Sequence, residues 1–316
     1  MARKYVPQRS LKGLKSNTHQ VLTVSGSLTL DAKGSYPKPK SDDPFAKLKV
    51  GMMNRLPRQE GKFRALLNKA ISEYDTAVSL AERRRGRLSN GRLRSDRQAI
   101  LDQRLQQIVR DTMVSISSLI QDNMRSSVKT YLRNVSAQSP TKLLTMVEIN
   151  DLSVLHADQA FNERYGASGL NVDGRLAGLA GRLELELRKL TNLSRKERQK
   201  KRKILRKSIV DPKGSDRPCV GRGVARLNRT EQQRAVQQAT LRVLEDKGIS
   251  LAYWRLSPSH RDYGGTEVCE VLASSTGPNV QEVLMGRNID LTGCYRVSDF
   301  PLTPHPNCMC SIVPIY

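Results

Sequence analysis

Between Val21 and Leu30 apolar and polar residues alternate: Leu22, Val24, Leu28 and Leu30 share one face, and Thr23, Ser25, Ser27 and Thr29 share the other. A period of two predicts a strand with one face to bury, and an isolated strand or hairpin has nothing to bury it against. The segment reads as an extended arm that adds to a sheet on a neighbouring subunit or pairs within this chain. Ser35 to Pro57, with Pro37, Pro39, Pro44 and Pro57, predicts a linker.

From Gly61 the period becomes helical. Phe63, Leu66, Leu67, Ala70, Ile71, Tyr74, Ala77, Val78 and Ala81 form a stripe that runs into the basic break Arg83-Arg84-Arg85-Gly86-Arg87. A second helix fits about 95–125, with Ser95 as N-cap and Leu101, Leu105, Ile108, Thr112, Ile116, Leu119 and Ile120 as its apolar face. Two such helices joined by a short basic loop predict an αα-hairpin. Ser139-Pro140 is a start signal for another helix, and further helical patterns occupy 151–165 and 175–191, the latter with Leu176, Leu179, Leu183, Leu187 and Leu190.

Ser194-Arg195-Lys196-Glu197 is a capping box. It opens a segment in which Arg195, Lys196, Arg198, Lys200, Lys201, Arg202, Lys203, Arg206 and Lys207 leave only a narrow Ile204/Leu205 strip apolar. Almost no acids alternate with these bases, so pairing along the helix does not account for them. A solvated helix and a contact for phosphates or an acidic surface are both compatible with this pattern. Asp211 to Gly223 is a Gly/Pro-rich joint. A helix is predicted from the capping pattern at Thr230-Glu231 to about Lys247, stopped by Gly248. Ile249 to Leu256 predicts a strand, Val268–Ala273 a short helix, and Ser311-Ile312-Val313 a closing strand.

The fold class is therefore α+β: a mainly α-helical body with an extended N-terminal arm and a small mixed C-terminal domain. The divisions are 1–57 for arm and linker, 58–210 for a basic helical domain, and 211–316 for an α+β domain that carries Cys and His.

Composition sharpens this picture. The 316 residues carry a formal net charge of +24 and only 4% aromatics, with a mean hydropathy of −0.52. Such a chain should adhere to polyanions. Without aromatics among the bases, stacking on nucleobases is not expected, so binding to nucleic acid would lack sequence preference. Arg83, Arg84, Arg85 and Arg87 join the 195–207 bases as candidate contacts. No run of eighteen apolar residues suggests a membrane span, and Met-Ala-Arg-Lys-Tyr-Val-Pro lacks the apolar core of a signal peptide. Synthesis in a reducing cytoplasm follows as an expectation, and there five cysteines point to metal or thiols ahead of a disulfide framework.

Four of those cysteines fall in the last stretch: Cys269, Cys294, Cys308 and Cys310. On a strand Cys308 and Cys310 share a face. Their Cα atoms would be roughly 6.5 Å apart, at the outer limit for a mutual disulfide. Two thiolates on one face can share a metal with His305, and Cys269, His260 or Cys294 can supply a fourth ligand. Sulfur and nitrogen ligands of this kind suit structural zinc. A disulfide from Cys269 to Cys308 or Cys310, and buried unbonded thiols, are the other readings. Cys269 with His260 or His305 also has the residue types of a nucleophilic site, but no oxyanion loop, Walker A loop or dinucleotide glycine pattern accompanies them.

Taken in order, the helix start Arg229-Thr230-Glu231, the strand with Trp254, the Asp262 to Cys269 segment and the ending His305-Pro306-Asn307-Cys308-Met309-Cys310 resemble the C-terminal domain of the phage Mu F-like minor head, or head-morphogenesis, proteins. The resemblance covers about residues 220–316. Where relatives often carry Cys-x-x-Cys, this chain has Cys269 alone with Cys294 further on. The resemblance implies a structural, non-enzymatic component of a tailed-phage head, made in the host cytoplasm and present in several copies near the portal or inner capsid. Its partners would be portal or capsid proteins and packaged DNA, with no membrane. A non-specific nucleic-acid-binding protein acting in the cell and a Cys/His-dependent enzyme are the competing expectations.

Overall fold

The computed structural model describes residues 44–83, 86, 88, 92–140, 143–164, 169–191, 193–210, 219–256, 268–278, 280, 291–300 and 310–315. Among them are seven helices: α1 (Pro44–Ala81), α2 (Ser95–Gln138), α3 (Met146–Asn162), α4 (Val172–Arg188), α5 (Arg195–Val210), α6 (Val220–Asp246) and α7 (Val268–Ser274). Three short strands, β1 (Leu251–Arg255), β2 (Cys294–Arg296) and β3 (Ser311–Pro314), complete the mainly helical α+β architecture. No described helix is long and apolar enough to cross a membrane.

The chain forms two compact units. One draws on Met1–Pro57, Asp122–Phe161 and Arg229–Tyr316, the other on Arg58–Gln121 and Asn162–Asn228, so α1, α2 and α6 each contribute to both.

The second unit is helical. Its interior is built from the predicted stripes: Phe63, Leu67, Ile71, Tyr74 and Val78 of α1, Leu101, Leu105, Ile108 and Ile116 of α2, and Leu176, Leu183 and Leu187 of α4 are all buried. Tyr74 reaches Thr191 by a hydroxyl–hydroxyl hydrogen bond of 2.8 Å, and burial raises its pKa above the usual phenol value. At the start of α6 a Cβ on Gly223 would lie 2.6 Å from Leu179 of α4, so glycine permits that close approach.

The first unit holds the sheet. β1 lies between β2 and β3 and is antiparallel to both. The register pairs Ala252 with Tyr295 on one side and with Pro314 on the other. Leu251, Val280 and Cys294 form a small core with Tyr253, Leu291 and Ile315 against it. Trp254 stacks on Phe300 at 5.7 Å between ring centroids, and Tyr295 meets Phe300 edge-on at 5.6 Å. Gly293 has φ +78, and a Cβ there would fall 2.9 Å from the Ala273 carbonyl oxygen; only glycine suits both demands.

Several boundaries depart from the sequence expectations. The linker over 35–57 is helical from Pro44 onward, with Pro57 inside α1. A mid-helix proline costs about 3 kcal/mol, and here burial of Leu48, Met52 and Leu56 on the same helix offsets it. The second helix continues past 125 to Gln138, because Met124, Val128, Tyr131 and Val135 extend its buried stripe. Ser139-Pro140 follows α2 and does not open α3. The opening residue is Thr145, whose backbone N–H donates to Glu148 Oε2 at 2.6 Å while its Oγ1 accepts from the Glu148 N–H at 3.2 Å. Thr230-Glu231 lies inside α6, which begins at Val220, where the Cys219 sulfur accepts from the Arg222 N–H at 3.3 Å. Strand β2 carried no recognised signal, being three residues long. The predicted α7, the strand β1 and the strand β3 are present, and Gly248 ends α6 with φ +70.

Candidate functional site

Two regions carry the candidate residues, one in each unit. In the helical unit the capping box at the start of α5 forms as expected: the Ser194 N–H donates to Glu197 Oε2 at 2.8 Å and Ser194 Oγ accepts from the Glu197 N–H at 3.4 Å. Those bonds hold the Glu197 carboxyl below the usual carboxylate range. Leu205, Ile209 and Val210 are buried and fix which side of the helix faces inward, while Ile204 is 59% exposed.

The acids missing from α5 come from α1. Arg198, 1% exposed, donates through Nε to Asp75 Oδ1 at 3.1 Å, through Nη2 to Glu82 Oε2 at 2.7 Å and to Ser79 Oγ at 3.1 Å, and through Nη1 to the Leu193 carbonyl at 2.8 Å. One turn on, Arg202 donates to Asp75 Oδ2 at 3.4 Å and Ser72 Oγ at 2.5 Å. As α5 advances its partners on α1 recede, so the two helices run antiparallel and their side chains form a ladder. Arg198, expected on the contact surface, is instead an internal anchor, and half-buried Arg202 is largely so. A buried guanidinium needs its donors engaged, and sequence spacing within α5 gives no sign of acids that lie at α1, four helices earlier in the chain.

The rest of the basic segment faces solvent: Arg195, Lys196, Lys200, Lys201, Lys203, Arg206 and Lys207 are exposed. Lys196, Lys200, Lys203 and Lys207 follow an i, i+4, i+7, i+11 pattern, which puts them on one face of the helix over about 16 Å. That face lies opposite Leu205 and Arg198. A row of flexible ammonium groups on a rigid helix is suited to phosphates or carboxylates without geometric selectivity. Arg83 is exposed at the end of the α1 segment; Arg84, Arg85 and Arg87 lie outside the described residues.

In the sheet-bearing unit Cys269 sits on α7, Cys294 begins β2 and Cys310 precedes β3. All three, and Cys219, are buried thiols, with no disulfide between Cys269 and Cys310. Burial pushes the Cys294 thiol above its usual pKa, which makes it a poor nucleophile at neutral pH. Cys269 and Cys310 are the described members of the proposed zinc-ligand set, and buried thiols suit that metal. His260, His305 and Cys308 lie outside the described residues, as do Leu22, Val24, Leu28 and Leu30 of the arm. Among the described residues no three His, Cys, Asp or Glu side chains gather at one point.

What sequence reasoning missed here is the polar seam along α6. Gln233 Nε2 donates to the Cys310 carbonyl at 2.6 Å, Gln232 accepts from Ser127 at 2.7 Å, and Arg234 binds Glu231 at 2.8 Å as well as the Ala160 carbonyl. Tyr131 of α2 donates to the Ile312 carbonyl of β3 at 2.7 Å. Thr230 and Glu231 are thus buried within α6, Glu231 pairing with Arg234 on the same helix. The three residues after them, Gln232, Gln233 and Arg234, connect α6 to α2, to the residue before β3 and to α3. Neither a protein-family model, nor a curated protein, nor a solved structure matches this chain.

Proposed function

We propose that this chain is a structural minor head protein of a tailed bacteriophage, held at or near the portal or inner capsid, with the basic face of α5 against packaged DNA. The observation that supports this most is how the motif residues are used. Glu231 is 1% exposed in the α6 seam, Trp254 is 2% exposed against Phe300, and Cys269 and Cys310 are buried beside the sheet elements. Each serves the integrity of a small domain, and a catalytic thiol instead needs exposure and a lowered pKa. Structural zinc held by residues among His260, Cys269, His305, Cys308 and Cys310 belongs to the same proposal.

A second reading, a non-specific nucleic-acid-binding protein of the infected or host cell, is favoured by the exposed lysine face of α5. Quantitative mass spectrometry of gradient-purified particles, normalised to portal and major capsid proteins, separates the two. A small reproducible copy number is expected. Absence of the chain from particles would sink the virion role and leave the cellular reading.

A further inference from the structure

The arginine ladder between α1 and α5 breaks its own pattern at one end. Counted back in steps of two turns from Glu82, which follows the last residue of α1, the positions are Glu82, Asp75 and Asn68. The first two pair with α5, and Asn68 lies with Arg206 at one cavity. Glu82 and Asp75 are carboxylates that neutralise Arg198 and Arg202. At the third rung the corresponding arginine is Arg206, and α1 presents Asn68 together with another cation, Arg64. Asn68 has nearly the shape of aspartate without its charge.

These residues line an open cavity of about 490 Å³ formed by Arg64, Asn68, Arg206, Lys207 and Val210. Three cations converge there against one acid: Glu60, a turn back on α1, approaches Arg64 Nη2 at 3.6 Å. Arg64 Nε is shielded from solvent and has no hydrogen-bond partner among the described residues. Like charges gathered with an unsatisfied donor raise the energy of the unliganded state, and an anion at the third rung would remove both costs. The two inner rungs display the geometry it would complete, guanidinium against oxyanion.

We infer that the cavity lined by Arg64, Asn68, Arg206 and Lys207 is a phosphate site for a nucleic-acid strand, with a backbone phosphate taking the place that Asp75 and Glu82 hold at the inner rungs. Two guanidiniums and an amide supply convergent N–H donors of the kind that grip a phosphate. Lys207 belongs also to the exposed lysine row, so a strand seated in the cavity continues along α5 over Lys203, Lys200 and Lys196. Among the described lining residues the only apolar wall is Val210, which offers no stacking surface, so the backbone is held and the bases are not read. This inference rests on the polyanion reading of α5 and is independent of whether the protein enters the virion.

The test uses the full chain, a fluorescently labelled mixed-sequence duplex, and anisotropy across a salt series. The wild type should bind with a steep salt dependence, and Arg64→Gln with Arg206→Gln should weaken binding at least tenfold and lower the log–log salt slope by about two. Arg104→Gln with Arg110→Gln removes the same charge from an exposed part of α2 and serves as control. Asn68→Asp is the sharper variant: by restoring the acid it should weaken binding several-fold while raising the melting temperature of the unliganded protein. Binding lost equally in the α2 control would overturn the site, as would unchanged binding in Asn68→Asp and the double variant. If the wild type fails to bind duplex, the polyanion reading of α5 falls with it. Thermal stabilisation by inorganic tripolyphosphate without duplex binding would assign the cavity to a small polyphosphate and overturn the nucleic-acid source.

Discussion

The two units bury polar side chains in opposite ways. In the helical unit the α1–α5 contact is an ion ladder, cations from one helix answered by carboxylates from the other. In the sheet-bearing unit the α6 seam is mostly neutral amide and hydroxyl groups bound to backbone carbonyls, with Arg234–Glu231 its one ion pair described. A neutral donor matched to a single carbonyl fixes register and leaves nothing over for a ligand. A ladder of charges can be ended one acid short, and the surplus then faces outward. The lesson is that buried polar groups can close on one another, as in the α6 seam, or leave an excess of one charge at the end of a ladder, as between α1 and α5.

The most damaging single change should be Arg198→Met. It leaves Asp75 and Glu82 without their main counter-charge, and breaking a buried ion pair from one side costs about 3 kcal/mol. This is the lower end of the usual range because both carboxylates keep a fifth of their side-chain surface in water. Urea unfolding measures it, and adding Glu82→Gln should recover part of the loss. An unaltered midpoint would mean that the ladder is ornamental to the helical unit.

Gln233→Ala comes next, at about 1 kcal/mol, since it removes the hydrogen bond that Gln233 Nε2 donates to the Cys310 carbonyl. Amide hydrogen exchange should speed up at Ser311, Ile312 and Val313 while α5 amides are unaffected. Faster exchange in both places would show that the two modes of polar burial are not separable.

The smallest effect is one of pH. His156 is buried in the sheet-bearing unit, with Nδ1 3.1 Å from Gln159 Oε1 and Nε2 without a partner among the described residues. Burial lowers its pKa, with Asp246 opposing and Arg242 assisting. The folded pKa thus lies below the unfolded value near 6.5. The unfolded chain takes up the proton first, so stability is intact above about pH 6.5 and declines as pH falls towards the folded pKa. His156→Gln should flatten that decline in thermal melts between neutral and mildly acidic pH. An unchanged slope would transfer it to the carboxylates.

Much of the helical unit was legible because its signals are local and repeated. The 3.6-residue stripes of α1, α2 and α4 persist over several turns, and the capping box of α5 joins residues three apart. The strands β1 and β3 were legible for a similar reason, with Gly248 marking the preceding stop. Pro57 misled because a single residue's backbone preference was outweighed by burial of its neighbours. Thr230-Glu231 misled because a helix start and a buried polar seam use the same residue types. The candidate site was half legible: the bases were evident, their division into inward and outward groups was not.

By itself the sequence determined a basic, mainly helical chain with a small thiol-bearing sheet at its end, because periodicity and composition act between neighbours in the chain. Only the tertiary structure decided that Arg198 is an anchor while Arg206 faces a cavity. That distinction depends on Asp75, Glu82 and Asn68, more than a hundred residues away, and on which of them carries a charge.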